Sequence, residues 1–417
     1  MLQRKLQSRW SRAIAAAILV LVGAGGTQAA AKETVLYTFT GGTDGNGPNS
    51  PLIFAKAGNL YGTTYQGGAD GDGTVFELTP TVSGWTETVF YSFIGVSDGY
   101  DPVGPVLFDK EGKLYGLTGY GGAAGYGTAF ELSPNSSGGW TKTTIYAFAG
   151  GSDGAYPNGS LISDGQGNLY GITQNGGSAS CQRYGPGCGT IFELKRSNGS
   201  WREIVLYSFP GGNSGDYPTG LAQDTVGNLY GTTFRGGGSD AGVVFKLSHS
   251  AGQWKESVLH AFTGGRDGSS ANYGVILDNA GNLYGVAQMG SGGGCTEGCG
   301  LVFELMHAAK GKWKEIVLHR FRANNHDGAY PSSTLIFDGA GNLFGTTVGG
   351  GAYGEGIVFE LMRNFDGKWA ESVIQDFIGG NYGSDPGTLV MGSDGNLYGT
   401  MSADGIYNVG VVFQVSP

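Results

Sequence analysis

Carboxylates recur along this chain at a spacing that invites a search for acid–base chemistry. Glu77, Glu131, Glu193, Glu304 and Glu360 follow a Phe in copies of one short apolar segment, where Lys246 and Gln414 fill the two remaining places. Glu87, Glu203, Glu256, Glu315 and Glu371 each stand two residues after a Trp. Glycoside cleavage uses two carboxylates, one as acid and one as base or nucleophile, placed beside a single cleft. Nothing singles out two here. A residue present in nearly every copy meets a need that every copy has, and side-chain pairing across strands suffices to explain it.

A third acidic set lies in Asp-Gly dipeptides at 44–45, 98–99, 153–154, 267–268 and 327–328. In four of the five, Pro follows four residues after the Asp, and Ser214-Gly215 and Tyr382-Gly383 keep the same offset before Pro218 and Pro386. A ring of calcium ligands would need the carboxylate throughout. The Gly persists in all seven copies and the Asp does not, so turn geometry is the shared requirement, with Asp as a turn former. Tyr100, Tyr156, Tyr217 and Tyr330 follow these turns. Tyr156 and Tyr330 directly precede Pro157 and Pro331, which biases each toward extended backbone and holds its ring in one direction. With Asp98, Asp153 and Asp327, the four tyrosines are the candidate ligand-binding residues, suited to a sugar or a peptide; packing inside the protein is the alternative.

Histidine is scarce, with five in the chain. His260 and His319 occupy the place held by Tyr37, Tyr91, Tyr146 and Tyr207 in other copies, which reads as a packing substitution. His249, His307 and His326 fall in turns or at strand ends. There is no Gly-x-Ser-x-Gly elbow, no His-Glu-x-x-His and no phosphate loop. No catalytic residue, cofactor or metal site is therefore expected. The four cysteines form two local pairs, Cys181 with Cys188 and Cys295 with Cys299, expected to be disulfides in an oxidising compartment. Zinc is the competing reading, but neither pair has a matching histidine and the pairs lie in different copies.

What must position these residues is a repeat. Gly-Asn-Leu-Tyr-Gly-Thr-Thr recurs with small changes, its aromatic at Tyr61, Tyr115, Tyr170, Tyr230, Tyr284, Phe344 and Tyr398. The spacings are 54, 55, 60, 54, 60 and 54, and each 60-residue interval contains a cysteine pair, so the extra residues form a tied loop. Each copy also holds a Val-Phe-Glu-Leu segment and a short apolar run that usually ends in Asp, and all but the last hold a strand running from Trp to Phe. Alternation such as Glu87-Thr88-Val89-Phe90-Tyr91-Ser92-Phe93 suits half-buried strands, and no segment has a helical period. Glycine, at 82 residues, is about a fifth of the chain against an average near 7%, as many tight turns would require. Four strands per copy make a propeller blade. The apolar run is the inner strand a, Asn-Leu-Tyr-Gly strand b, Val-Phe-Glu-Leu strand c, and the Trp strand the outer d.

The two ends support closure. The last copy stops after strand c at Val411–Val415, and Glu33–Phe39 is an orphan strand d that would complete it, removing an open edge. The expected architecture is an all-β, seven-bladed β-propeller over 32–417. Its blades run roughly over 48–93, 102–148, 157–209, 218–262, 271–321, 331–377, and 386–417 joined by 33–39. In that geometry the d–a and b–c loops share one face around the channel mouth. The Asp-Gly turns, the tyrosines and both cysteine loops all fall there.

The run Gly-Thr-Val-Phe-Glu-Leu-Thr-Pro at 73–80, then Trp85, Tyr-Ser-Phe at 91–93 and the Gly-Asn-Leu-Tyr-Gly motif resemble the bacterial "choice-of-anchor tandem repeat GloVer-containing" family. The resemblance spans essentially the whole chain after residue 31. It implies an exported repeat protein of propeller type, and the family carries no established activity to transfer. Some members end in an anchoring tail; none is expected after Pro417.

Residues 1–31 read as a signal peptide, with Arg4, Lys5, Arg9 and Arg12 preceding an apolar stretch from Ala13 to Val22. Ala29 and Ala31 place the cut before Lys32, with Ala29–Ala30 the alternative site. Removing those four cations takes the formal net charge from −10 to −14. An acidic surface without basic clusters disfavours nucleic acid and anionic lipid. The expectation is a secreted or periplasmic monomer, not inserted in a membrane after cleavage. It would act as a non-enzymatic binding or interaction scaffold for a glycan, a peptide or an envelope protein through its loop-rich face. The alternatives are a carbohydrate-active lyase or hydrolase with its site at the channel mouth, and a structural envelope component.

Overall fold

The computed structural model describes residues 32–417 except 49, 56, 182–184 and 309–310. The expected signal peptide, 1–31, lies outside the described residues. Seven antiparallel sheets follow one another along the chain, each in the strand order a-b-c-d. Blade 2 shows the pattern, with a at Tyr100–Phe108, b at Leu114–Tyr120, c at Thr128–Pro134 and d at Trp140–Ala147. In blades 2 to 4 strand a is longer than its apolar run, whereas in blades 1 and 5 it is confined to Ile53–Phe54 and Val275–Leu277. It begins at the tyrosine after the Asp-Gly turn in blades 2 to 4 or within a residue of it, and it is interrupted in blades 6 and 7. No α-helix occurs among the described residues.

Blade 7 takes its outer strand from the other end of the chain. Lys32–Thr38 pairs antiparallel with Val411–Ser416, from Lys32 opposite Ser416 to Thr38 opposite Val411. The last strand edge is thereby paired, as the ends of the sequence implied.

The core is a sevenfold repetition of one contact. The strand c phenylalanines Phe76, Phe130, Phe192, Phe245, Phe303, Phe359 and Phe413 are fully buried. Each meets the Phe that follows strand d of the preceding blade, edge to face, from Phe39 on Phe76 at 5.2 Å round to Phe377 on Phe413 at 5.3 Å. Such T-shaped pairs stabilise beyond their buried area by about 0.5–1.5 kcal/mol each. The Gly of strand b makes room for the ring. A Cβ on Gly62 would lie 2.6 Å from the Phe76 ring, so the Leu-Tyr-Gly motif and the Phe-Glu-Leu motif are one steric device.

Near the axis the blades touch through backbone. A Cβ on Gly104 would stand 2.1 Å from the carbonyl oxygen of Gly159 in the next blade. Around the axis the strands a enclose a narrow channel of about 260 Å³, part-filled by Tyr273, whose carbonyl accepts a 2.6 Å hydrogen bond from the Thr334 hydroxyl.

Candidate functional site

The turn that enters each blade is built from both of its neighbours. The Asp-Gly glycine adopts positive φ in four of the five turns, 94° at Gly99 and 95° at Gly154, with Gly328 the exception, and it lies so close to strand b that a Cβ on Gly99 would meet Thr118 Oγ1 at 2.5 Å. Three residues after the Asp position comes a residue in the left-handed region in all seven blades. It is Gly47, Asp101, Tyr156, Tyr217, Ser270, Tyr330 or Asp385. The expectation of extended backbone before Pro is therefore wrong for Tyr156 and Tyr330, which have φ of 56° and 57°, and Tyr217 shares the conformation at 62°. The reason is an inter-blade tie. The amide of this residue donates to a carbonyl in the preceding blade's b–c loop, Tyr156 to Tyr126, Tyr217 to Cys188 and Tyr330 to Cys299. The Pro then seats on a glycine of that loop, where a Cβ on Gly127 would lie 2.5 Å from Pro157. These contacts hold a conformation that costs about 1–3 kcal/mol per non-Gly residue.

The turn carboxylates are engaged within the fold. Asp98 accepts from the Tyr91 hydroxyl at 2.8 Å and pairs with Lys142 at 2.6 Å. Asp153 accepts from the Tyr146 hydroxyl and the Ala149 amide, and Asp327 lies 3.0 Å from His319 Nε2. In blades without Asp the arrangement persists in part, since Ser214 faces Tyr207.

The strand c glutamates behave as cross-strand partners. Glu131 accepts from the Tyr115 hydroxyl of strand b at 3.0 Å, and Tyr284 and Glu304 repeat the bond. The strand d glutamates do not. They face the turn between their own blade and the preceding one, and an Oε1 of each of Glu33, Glu87, Glu203, Glu256, Glu315 and Glu371 is buried without a hydrogen-bond partner. Burial pushes Glu33, Glu87, Glu203, Glu315 and Glu371 up to about 7, helped at Glu87 by the Asp44 carboxylate and at Glu203 by Asp153. Strand d is the outer edge of its sheet, so its side chains meet the neighbouring blade rather than a cross-strand ion. At the corresponding place in blade 2, Lys142 supplies the opposite charge.

The candidate tyrosines separate into different surroundings. Tyr100 stacks on Tyr120 at 5.4 Å with 14° between planes, Tyr120 meets Tyr156 at 5.3 Å, and Tyr156 meets Tyr126 edge-on at 5.6 Å. Tyr65 adjoins the same group. Burial, with the Asp101 carboxylate at its hydroxyl, pushes Tyr65 up to about 12. Tyr330 instead packs against the buried cluster between blades 5 and 6, and Tyr217 lies in blade 4. Tyr156 and Tyr330 are thus not two halves of one platform. The cluster joins residues from the ends of strand b, Tyr65 and Tyr120, with residues from the start of strand a. Those ends share the loop-rich face. At the two strand b places held by Tyr65-Gln66 and Gly119-Tyr120, blades 5 to 7 carry Gln288-Met289, Val348-Gly349 and Ser402-Ala403. Tyr65, Tyr120 and Tyr126 lie outside the Asp-Gly turns and so escape a reading based on those turns; the sequence signal for Tyr120 is an aromatic at a place where no other copy has one.

Both cysteine pairs are disulfides, Cys181–Cys188 and Cys295–Cys299, each within one b–c loop. The central channel is lined by backbone, hydroxyls, amides and apolar groups, with no carboxylate, histidine or cysteine among its described lining residues. No helix among the described residues is long and apolar enough to cross a membrane.

The family model of the Gloeobacter/Verrucomicrobia repeat matches residues 26–185 and 179–413. No curated protein matches the sequence. Among solved structures, the extracellular domain of a protein assigned as a one-component system of B. thetaiotaomicron superposes with a TM-score of 0.55 at 10% identity. That match covers 91% of this chain and 39% of the other, so this chain spans about two fifths of its length. A fungal alcohol oxidase of the AA5 family, in complex with copper, gives 0.55 at 10% identity, covering 93% of this chain and 76% of its own. At such identities the likeness is one of fold alone.

Proposed function

The chain belongs to the Gloeobacter/Verrucomicrobia repeat family, and from that footing we propose that it is an extracytoplasmic binding propeller. It takes a neutral glycan on the tyrosine cluster of blades 1 to 3. One observation carries the reading: Tyr100, Tyr120, Tyr126 and Tyr156 stand in mutual ring contact in one sector of the loop-rich face, whereas its other exposed tyrosines, Tyr353, Tyr382 and Tyr407, lie in blades 6 and 7 outside that cluster. Sevenfold features serve the ring; a feature confined to one sector serves something outside it. Tyr120 is 38% exposed, and its ring lies between those of Tyr100 and Tyr156, so a continuous aromatic surface meets solvent. Tyrosine combines an apolar face with a polar edge, which suits a sugar ring. The carboxylate of Asp101 beside Tyr65 offers acceptors for sugar hydroxyls.

Two disulfides fit an oxidising compartment, and a ring closed by its own first strand fits a monomer. The channel lining gives the lyase or hydrolase reading no acid–base pair to build on. The test is a glycan and peptide array with residues 32–417, followed by calorimetry on Tyr120→Ala, Tyr156→Ala and Tyr330→Ala. Tyr120→Ala is expected to lose most glycan affinity with the melting temperature nearly unchanged. Tyr330→Ala, packed on a core cluster, is expected to lower the melting temperature and leave affinity alone. Peptide binding in place of glycan would move the ligand class. Binding indifferent to Tyr120 and Tyr156 would remove the site, and no ligand at all would favour a structural envelope role.

A further inference from the structure

At each blade interface the strand d residue of one blade, the turn that follows it, and the strand d Glu or Lys of the next blade meet. In blades 7, 1 and 2 the first of these is a tyrosine whose hydroxyl donates to the turn Asp, as Tyr37 does to Asp44 and Tyr91 to Asp98. A phenol there is a hydrogen-bond donor and nothing more. Between blades 5 and 6 the phenol is replaced by an imidazole, His319, and the chemistry of the interface changes with it.

The geometry points to a divalent transition-metal site, of the kind zinc occupies, formed by His319, Asp327 and Glu371. One ligand atom from each lies within 4.8 Å of the other two. His319 Nε2 and Asp327 Oδ1 are 3.0 Å apart. Zinc bonds of about 2.1 Å in a tetrahedral shell put neighbouring ligand atoms about 3.4 Å apart, so these two, now at hydrogen-bonding distance, would part by about 0.4 Å to share an ion. Glu371 supplies the third ligand. Its Oε1 is buried without a hydrogen-bond partner, so a bound ion would satisfy an atom that the protein alone leaves unmet. One imidazole and two carboxylates form a donor set that zinc accepts, with the ion's two charges balanced by the two carboxylates.

A fourth position would be open. A cavity of about 580 Å³ adjoins the three residues and is also lined by Arg322 and the exposed His326. Arg320 lines it as well, but its guanidinium donates to the carbonyl of Arg266 on the preceding turn. The neighbouring interface is an internal comparison. There His260, Asp267 and Glu315 repeat the residue types, yet their ligand atoms do not all come within 4.8 Å of one another, and among the described residues only the set at His319 does. The three groups do not converge on one point as those of the blade 5–6 interface do.

The test titrates chelator-treated residues 32–417 with zinc by calorimetry, and with cobalt by visible absorption, in the wild type and three variants. His319→Tyr restores the residue of the sister interfaces, so the metal-free fold and melting temperature should be kept. It should weaken zinc binding by more than the roughly 10- to 100-fold that loss of an outer-shell partner causes. Glu371→Gln should do the same, whereas His260→Tyr should leave the titration unchanged. The proposal is overturned if His319→Tyr binds zinc as the wild type does, if His260→Tyr loses it equally, or if the wild type shows no saturable binding.

Discussion

Raising the pH from 5 to 8 should destabilise this protein, because its ring closes on protonated glutamates. Glu33, Glu87, Glu203, Glu315 and Glu371 are lifted by burial from the ordinary 4.5 to about 7. The folded state therefore holds a proton that the unfolded chain releases near 4.5. Stability from these groups is whole below that value, declines as pH rises through 7, and is level again above about 8. A shift of that size in a sealed site would amount to about 3.4 kcal/mol per group. These side chains keep partial access to water, and screening reduces the figure to about 1 kcal/mol each. Five groups then account for about 5 kcal/mol, which in a domain of this size is on the order of 5–10 °C in melting temperature. Glu131, Asp224 and Asp394 are held low by hydrogen bonds and lose stability only as pH falls toward 4, while His260, held low by burial, gains stability as pH rises toward 6.5, so the decline above 5 is the five glutamates set against one histidine.

The assay is thermal unfolding between pH 5 and 9 at fixed ionic strength, on the wild type and a Glu87→Gln, Glu203→Gln, Glu315→Gln triple variant. Gln reproduces the neutral acid without its proton. The variant should match the wild type near pH 5 and retain about two fifths of its decline by pH 8. A wild-type profile flat from 5 to 8, or a variant with the full wild-type slope, would refute the assignment of neutral carboxyls to the blade interfaces.

Two further outcomes follow from the architecture. Deleting Lys32–Phe39 removes the strand paired with Val411–Ser416 and the fully buried Phe39, so the loss should exceed the roughly 3–5 kcal/mol of one core Phe truncation. Equal melting temperature and solubility in the truncated protein would contradict closure by that strand. Reducing Cys181–Cys188 and Cys295–Cys299 releases loops with sequence separations of 7 and 4, which in the chain-entropy model is worth about 2–2.5 kcal/mol each. The melting temperature should drop by a few degrees while the circular dichroism of the propeller is unchanged; loss of the β signal on reduction would sink that reading.

The fold was legible because one repeat unit carries each packing partner in recognisable form. Gly62 and Phe76 appear as separate motifs, yet both recur at the same period because each exists to admit the other. Closure was legible for a different reason: a strand c without a strand d at one end, and a strand d without its blade at the other, leave one pairing that satisfies both. What the period could not reveal was where side chains cross between blades. Glu87 reads as an alternating residue of a strand, and alternation assigns it to a face. It does not say that the face is covered by the turn bearing Asp44.

The same blindness explains the site. Reading Tyr156 through its own Pro predicts extended backbone, because the local steric rule knows only the residue before a Pro. The carbonyl of Tyr126, from the blade before, captures the Tyr156 amide and turns the chain left-handed. That capture recurs at Tyr217 and Tyr330, so it belongs to the ring and carries no information about a ligand. Function has to be sought in what remains after such sevenfold features are subtracted. Subtracting them leaves two departures that local rules do not explain, the tyrosines gathered around Tyr120 and the imidazole at His319. The first was within reach of the sequence alone in part, since Tyr120 stands where no other copy carries an aromatic, while the place of Tyr65 is shared only with Phe234 of blade 4. The second was not. His319 and His260 are the same substitution at the same repeat position, and only the convergence of His319, Asp327 and Glu371 within 4.8 Å tells them apart.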